Sequence, residues 1–503
     1  MMKKIRLYRL LSLILCFIMI LSLFSACANP SFSQITTNPS MVDTPDDEQL
    51  ELWIVSEISN PGTVNSLLEN LVEAYGEQHT NVSFELEYLP KNKEEREVRL
   101  DQLRTEILSG NGPDLYLMPG SHTGYQLESL FTDVTLSMYN GMFYDIGAYY
   151  NADDDLKKEE LETKVMDAGT LGVARYVLPI RYDFPVLQVD SAALEDFGLN
   201  EDEITSDLNT LIDAILASDD AKLAHSFFWQ NITYTACLDN FTDFIDYKDR
   251  EVLVTTGEVA NLMEKYQRWM ELQSGEYEYM DKTMPSKRTM AGGYVTANQC
   301  WFTAGYPLHI AGLEEALHNT MISKAQGKEL SMYPLRASDG SLIASVTYWG
   351  AVGSSCDYPD VAYDFLRQFL LQDAQWEKSR SRSDANVSDS FFGKGLPVRT
   401  KGAVGPLVES IKEQIVLKND ATDEVAGNAR RESLLELTID DSDFPVIDTE
   451  IDEVRLWNHA EYELVMILNS LNDSDNGYAP TDVDIEAVAS EFVKQLEYLL
   501  AEG

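Results

Sequence analysis

Apolar and polar positions follow a regular rhythm over the first part of the body of the chain. Glu51 to Ser56, ELWIVS, is a short apolar run that reads as a buried strand. Between Thr63 and Tyr75, Val64, Leu67, Leu68, Leu71, Val72 and Tyr75 recur at helical spacing. In NVSFELEYLP the pattern alternates, with Val82, Phe84, Leu86 and Tyr88 on one side, as in a half-buried strand. Lys93 to Leu108 returns to helical spacing, with Leu100, Leu103 and Ile107 on one face, and Asn111, Gly112 and Pro113 stop it. DLYLM is a third strand that ends at Pro119 and Gly120. Strand, helix, strand, helix, strand predicts a parallel sheet covered by helices. Ligands of such sheets sit beyond the carboxyl ends of the strands. Ser56–Glu57 and Gly120–Ser121–His122 stand at two of those ends.

The N-terminal stretch has a different pattern. Lys3, Lys4, Arg6 and Arg9 precede an apolar run from Leu10 to Phe24, which small Ser25 and Ala26 and then Cys27 follow. A positive start, a short apolar centre and a small-residue cleavage site form the layout of an export signal. The run is shorter than the roughly 20 residues of a spanning helix. FSAC resembles a bacterial lipobox, with Phe24 where the motif usually has leucine. The resemblance implies that residues 1–26 are removed and that acyl chains of the palmitate type are attached to Cys27. Acyl chains hold a protein to a membrane by burying methylenes, at about 0.8 kcal/mol each. Residues 27–48, with Pro30, Pro39 and Pro45 among Ser, Thr and Asn, read as a flexible spacer.

Composition narrows the function classes. The chain has 503 residues, 44% of them apolar, which suffices for a large core in two or more units. Lysine and arginine total 38 against 84 aspartates and glutamates, a formal net charge of −46. Such a surface repels phosphate backbones, so a nucleic-acid partner is not expected. The five cysteines (Cys16, Cys27, Cys237, Cys300 and Cys356) form no C-x-x-C pair, and the three in the body read as reduced thiols. The six histidines show no H-E-x-x-H spacing, GSHTG places serine outside a nucleophile elbow, and no Walker loop is present. NDSDNGYAPTDVD has its glycine and its last acid out of place for a calcium loop and reads as a solvated turn. No catalytic residue, metal or cofactor is expected.

Several pieces, taken in order, resemble family-one extracellular solute-binding proteins of ABC transporters. They are LELWIVS, VSFELEYLP, LRTEILSGNGPDLYLMPG, RYVLPIRYDFPVLQVDSAALEDFGL, TANQCWFTAGYPLHI, YWGAVGSSCDYPDVAYDFLRQFLLQDAQ, GKGLPVRTKG and the closing APTDVDIEAVASEFVKQLEYLLAEG. Val361, Ala362, Phe365, Leu366 and Phe369 form an apolar face in one of these, and Ile485, Val488, Phe492, Leu496 and Leu499 another at the end. The resemblance implies a two-lobed periplasmic-binding-protein-like fold, with two α/β lobes, a hinge and a ligand cleft between them. It places the first lobe at 49–185 and 333–395 and the second at 186–332 and 396–503, with crossings near Phe184, Tyr333 and Gly395. It implies a monomer on the extracytoplasmic side of the cell membrane that takes up a solute, a sugar or oligosaccharide, and delivers it to a permease without changing it. The acidic stretches 151–164 and 419–448 read as surface insertions or solvated helices.

A sugar presents C–H faces and hydroxyl edges, and its site wants aromatic platforms beside polar groups. By position in these motifs, the resemblance nominates Glu57, Ser121, Tyr182, Asp183, Trp229, Tyr306, Tyr348 and Trp349 as ligand-binding residues, with His122 at the rim. Aromatics at such positions serve core packing as readily. If Trp349 is a platform, Trp349→Ala weakens binding and leaves the protein folded. The competing class is a surface-anchored glycosidase or polysaccharide lyase, which needs two carboxylates held about 5–9 Å apart across a sugar.

Overall fold

The computed structural model describes residues 49–57, 67–90, 92–120, 128–195, 208–219, 244–283, 308–325, 327–371, 395–399 and, with short breaks, 444–502. Cys27 and the segments around it, Ser121, His122, Trp229, Tyr306, and residues 419–443 of the second acidic stretch lie outside the described residues.

The opening rhythm folds as the pattern predicts. Strand β1 (Leu50–Ser56), helix α1 (Leu67–Gln78), strand β2 (Val82–Tyr88), helix α2 (Lys93–Leu108) and strand β3 (Leu115–Pro119) follow in order. Both β2 and β3 pair with β1 in parallel. Asn92 starts α2 by accepting a hydrogen bond from the Glu95 amide, which satisfies one of the first turn's free donors. Asp114 locks the start of β3, because its Oδ2 accepts from the Trp53 amide at 2.8 Å. Burial raises the pKa of that carboxyl. The Cys356 thiol beside it is raised as well, again chiefly by burial, so it behaves as a core group.

Helix α3 (Val134–Tyr139) leads to strand β4 (Val177–Asp183), and the chain then leaves the first sheet. Strand β5 (Val186–Val189), helix α4 (Thr256–Thr283), strand β6 (Leu308–Ala311), helix α5 (Leu313–Ala325) and strand β7 (Ser331–Pro334) build the second unit. There β5 lies between β6 and β7, antiparallel to both. Thr255 and Glu258 open α4 with a reciprocal capping box: the Glu258 amide donates to Thr255 Oγ1 and the Thr255 amide donates to Glu258 Oε2.

The chain returns through strand β8 (Ile343–Val352), continues in helix α6 (Pro359–Arg367), and adds strands β9 (Leu396–Pro397) and β10 (Glu453–Arg455) to the first sheet. Helices α7 (His459–Ser470) and α8 (Ile485–Glu502) close the second unit. The first sheet runs β9-β4-β8-β3-β1-β2, with β10 beside the early half of β8. It is mixed rather than wholly parallel. Strand β8 enters it from the second unit and therefore runs against β3 and β4. Two separate apolar cores result, one around this sheet and one around β5, α4, α7 and α8. The protein is a two-lobed α/β molecule.

One expectation needs correction. Leu396–Pro397 and Glu453–Arg455 pair with first-lobe strands, and Phe444, Val446, Ile451 and Leu456 sit in the first core. The last described return to the second lobe therefore falls between Leu456 and Ala460, not near Gly395. Stretch 151–164 is mostly exposed, and Asp153, Leu156 and Leu161 anchor it by burial. Helix α6 buries its polar side as well as its apolar face, because Asp153 and Tyr75 meet that polar side. In the calcium-like sequence, Asn472–Asp473 and Ala479–Pro480 pair as a hairpin and Asp484 caps α8.

Covering that polar face requires a closed polar network. Arg367 Nε donates to Asp364 Oδ1 at 2.8 Å, and its Nη1 lies 3.4 Å from Asp153 Oδ1. The hydroxyl of Tyr75 donates to Asp364 and that of Tyr363 to Asp153. Burial works against the charge on Arg367, but the bond to Asp364 and the field of Asp153 outweigh it and raise its pKa. Removing the cation strands two buried carboxylates, which costs about 3–5 kcal/mol. We expect Arg367→Met to lower stability by that amount in urea unfolding. Arg336→Ala, which breaks an ion pair with Asp452 that is exposed on both sides, should cost no more than about 1 kcal/mol.

Candidate functional site

Strand directions bring the candidate residues to one edge. Tyr348 lies opposite Pro119 and Ser345 opposite Asp183, so the carboxyl ends of β1, β3 and β4 emerge where β8 begins. The chain crosses to the second lobe from the same edge, between Asp183 and Val186, and returns to it between Pro334 and Ile343. This is where an open α/β sheet places a ligand.

Close backbone contacts shape the edge. The Gly120 amide donates to the Thr347 carbonyl at 2.9 Å, and a Cβ on Gly120 would stand 1.8 Å from the Val346 carbonyl oxygen. Val346 faces Tyr182 and Tyr348 faces Arg181, which leaves Thr347 as an extra, bulged residue against β4. Arg181, fully buried, donates to the Gly395 carbonyl at 2.6 Å and ties β9 to the edge.

The two carboxylates at the edge are engaged by protein donors. Glu57 Oε2 accepts from Arg96 Nη2 at 2.8 Å, and its Oε1 accepts from Ser129 Oγ at 2.6 Å and the Leu130 amide at 2.8 Å. Arg96 also donates to the Glu128 carbonyl. Glu57 thus holds the 128–130 segment against the end of β1. Asp183 Oδ1 accepts from the Leu313 amide at 2.7 Å and so caps α5, whose Leu313, Ala316, Leu317 and Met321 lie in the first core. A negative charge at that helix terminus is favourable, and Gly312 leaves room for it, since a Cβ there would lie 2.1 Å from Asp183 Oδ2.

The three described aromatics are core residues. Trp349 is 1% exposed and packs against Phe131 and Phe143, at ring-centroid distances of 5.8 and 5.7 Å. Tyr348 is fully buried beside Ser56, and burial pushes its phenol above the usual range. Tyr182 is buried in the same core. The edge therefore gathers Glu57, Tyr182, Asp183 and Tyr348, with Trp349 one residue further in, and all five stabilise it. Among the described residues, no group of His, Cys, Asp and Glu is arranged to hold a metal ion, and no helix is long and apolar enough to cross a membrane.

Sequence reasoning missed Arg96, although a signal was present. A cation at position 96 stands on the same helical stripe as Leu100, Leu103 and Ile107, and a charge on an apolar stripe needs a buried partner. It also missed Asp133 and Tyr247, which meet across the lobes: the Tyr247 hydroxyl donates to Asp133 Oδ2 at 2.5 Å. An aspartate just before VTLSMY is a helix-cap signal. Nothing near Tyr247 in the sequence points to its partner.

Burial changes the expected effect of one substitution. Trp349→Ala removes a large ring from a close-packed core, and such changes cost about 3–5 kcal/mol. We expect a clear loss of stability in urea unfolding, rather than a folded protein with weakened binding.

No protein-family model matches the chain, and no curated protein matches it. Among solved structures, it is similar to an extracellular solute-binding protein family 1 member from Alicyclobacillus acidocaldarius, at 12% identity and TM-score 0.47, over 91% of this chain and all of that one. It is similar to the galacto-N-biose/lacto-N-biose I-binding protein of the ABC transporter from Bifidobacterium longum, at 14% identity and TM-score 0.49, over 91% of this chain and 99% of that one. It is also similar to a cyclic α-maltosyl-1,6-maltose-binding protein from Arthrobacter globiformis, at 11% identity and TM-score 0.48, over 90% of this chain and all of that one. At these scores they are likenesses only, and the fold stands on the chain's own sheets and cores.

Proposed function

We propose that this protein is an extracytoplasmic solute-binding protein that takes a sugar or oligosaccharide between its lobes and passes it to the permease of an ABC transporter. The observation that carries this reading is the crossing edge: strands that bear the carboxyl ends of one sheet lead directly into a second lobe with its own core. Two bodies linked by short crossing segments can rotate about them and enclose a guest. The ordered sequence motifs support the same reading. In this proposal Cys27 carries the lipid that moors the mature chain to the outer face of the cell membrane, and the protein works as a monomer. Ser121, Trp229 and Tyr306 meet the solute, while Glu57, Tyr182, Asp183, Tyr348 and Trp349 hold the frame around it.

The glycosidase or lyase reading gains nothing from this edge. Glu57 and Asp183, the carboxylates nominated there for ligand binding, already accept hydrogen bonds from the protein.

The test is to mix the mature protein with a panel of oligosaccharides and follow both thermal unfolding and sugar composition. A ligand at about 100 times its Kd stabilises by about 2.7 kcal/mol. We expect at least one saccharide to raise Tm and to be recovered intact. Cleavage of that saccharide would replace transport with catalysis. No shift with any of them would remove sugars as the solute.

A further inference from the structure

Among the described residues, Asp133 and Tyr247 join the lobes away from the crossing strands. Asp133 belongs to the first lobe and is 2% exposed. Its two oxygens serve different lobes. Oδ1 accepts from the Leu136 amide at 2.7 Å and caps α3. Oδ2 accepts from the Tyr247 hydroxyl at 2.5 Å. Tyr247 lies in the turn between paired Ile245–Asp246 and Glu251–Val252, and its ring packs on the second core. That ring also faces Tyr139, the last residue of α3, with centroids 6.4 Å apart and planes 18° from parallel. Tyr139 is 46% exposed and so stands at the margin of this contact.

We propose that Asp133 and Tyr247 form a latch that sets how far the two lobes stand apart, and that both are positioning residues for solute capture. A phenol on a buried carboxylate is a charge-assisted hydrogen bond, about twice as strong as a neutral one. Its geometry is demanding: a small rotation of one lobe takes the hydroxyl out of reach, so the bond exists in one lobe arrangement and not in others. Because Oδ1 is fixed by the α3 amide, the carboxylate cannot turn to follow a receding phenol. The latch therefore holds the lobe arrangement seen here before any solute arrives, and it changes the affinity for any solute whose binding moves the lobes. This consequence for binding rests on the transport reading, whereas the latch itself does not.

The test measures lobe separation in the solute-free full mature chain. Spin labels are carried on keto amino acids at Glu97 of α2 and Gln495 of α8, both exposed and one in each lobe. Tyr247→Phe keeps the ring and removes the hydroxyl. Asp133→Ser keeps the α3 cap, since serine is a good capping residue, but is too short to reach the phenol. Loss of one charge-assisted bond shifts the ratio of latched to unlatched molecules by about tenfold. Both variants should add to the distribution a distance that the wild-type chain lacks, while remaining folded by circular dichroism. If either variant keeps the wild-type distances, the latch is wrong. The measurement uses no solute, so a failure to find a saccharide ligand would leave this result standing on its own.

Discussion

Strand β8 is the constraint on which the rest of the molecule depends. All ten of its residues are buried, and it pairs with β4 on one side and with β3 and β10 on the other. It arrives from the second lobe, so its direction is imposed by the crossing and not by the strands it joins. Running against β3 and β4, it places its own beginning at their carboxyl ends. That single choice of direction puts Tyr348 opposite Pro119 and Ser345 opposite Asp183, and it makes one edge of the sheet both the crossing point and the candidate site.

Polar groups at that edge are employed in fastening. Glu57 binds Arg96 and the 128–130 segment, Asp183 caps α5, and Arg181 holds the carbonyl of Gly395. A carboxylate removed from water needs donors around it, and the fold supplies them from segments distant in sequence. The same rule operates behind the sheet, where Asp153, Asp364 and Arg367 let a charged helix face lie inside the core. With so negative a chain, buried Arg96, Arg367 and Arg399 each meet a specific acid.

The aromatics show how burial redirects a residue's role. Position in the sequence motifs nominated Tyr182, Tyr348 and Trp349 as platforms for a sugar. Each instead faces packed side chains, and Trp349 sits among Phe131 and Phe143, which also surround Tyr116. Aromatic surface that the protein itself covers contributes to the core; it cannot also receive a guest. The lobe-to-lobe contact uses another aromatic, Tyr247, whose sequence surroundings carry no mark of it.

The sequence by itself determined the local elements. Periodicity placed β1, α2 and β3 within a residue or so of their observed spans, because a strand or helix with one buried face must repeat its apolar residues at 2 or 3.6 positions. The two lobes entered through the resemblance that the order of the chain's motifs carries, as an implication of that resemblance. Tertiary structure alone decided the pairing partners of Leu396–Pro397 and Glu453–Arg455, the burial of Asp153 within the acidic 151–164 stretch, and the partners of Glu57, Asp133 and Asp183. Those outcomes depend on which distant segment arrives beside a residue. A charge on a helix face looks the same in sequence whether water or an opposite charge meets it, and only the assembled lobes settle which one does.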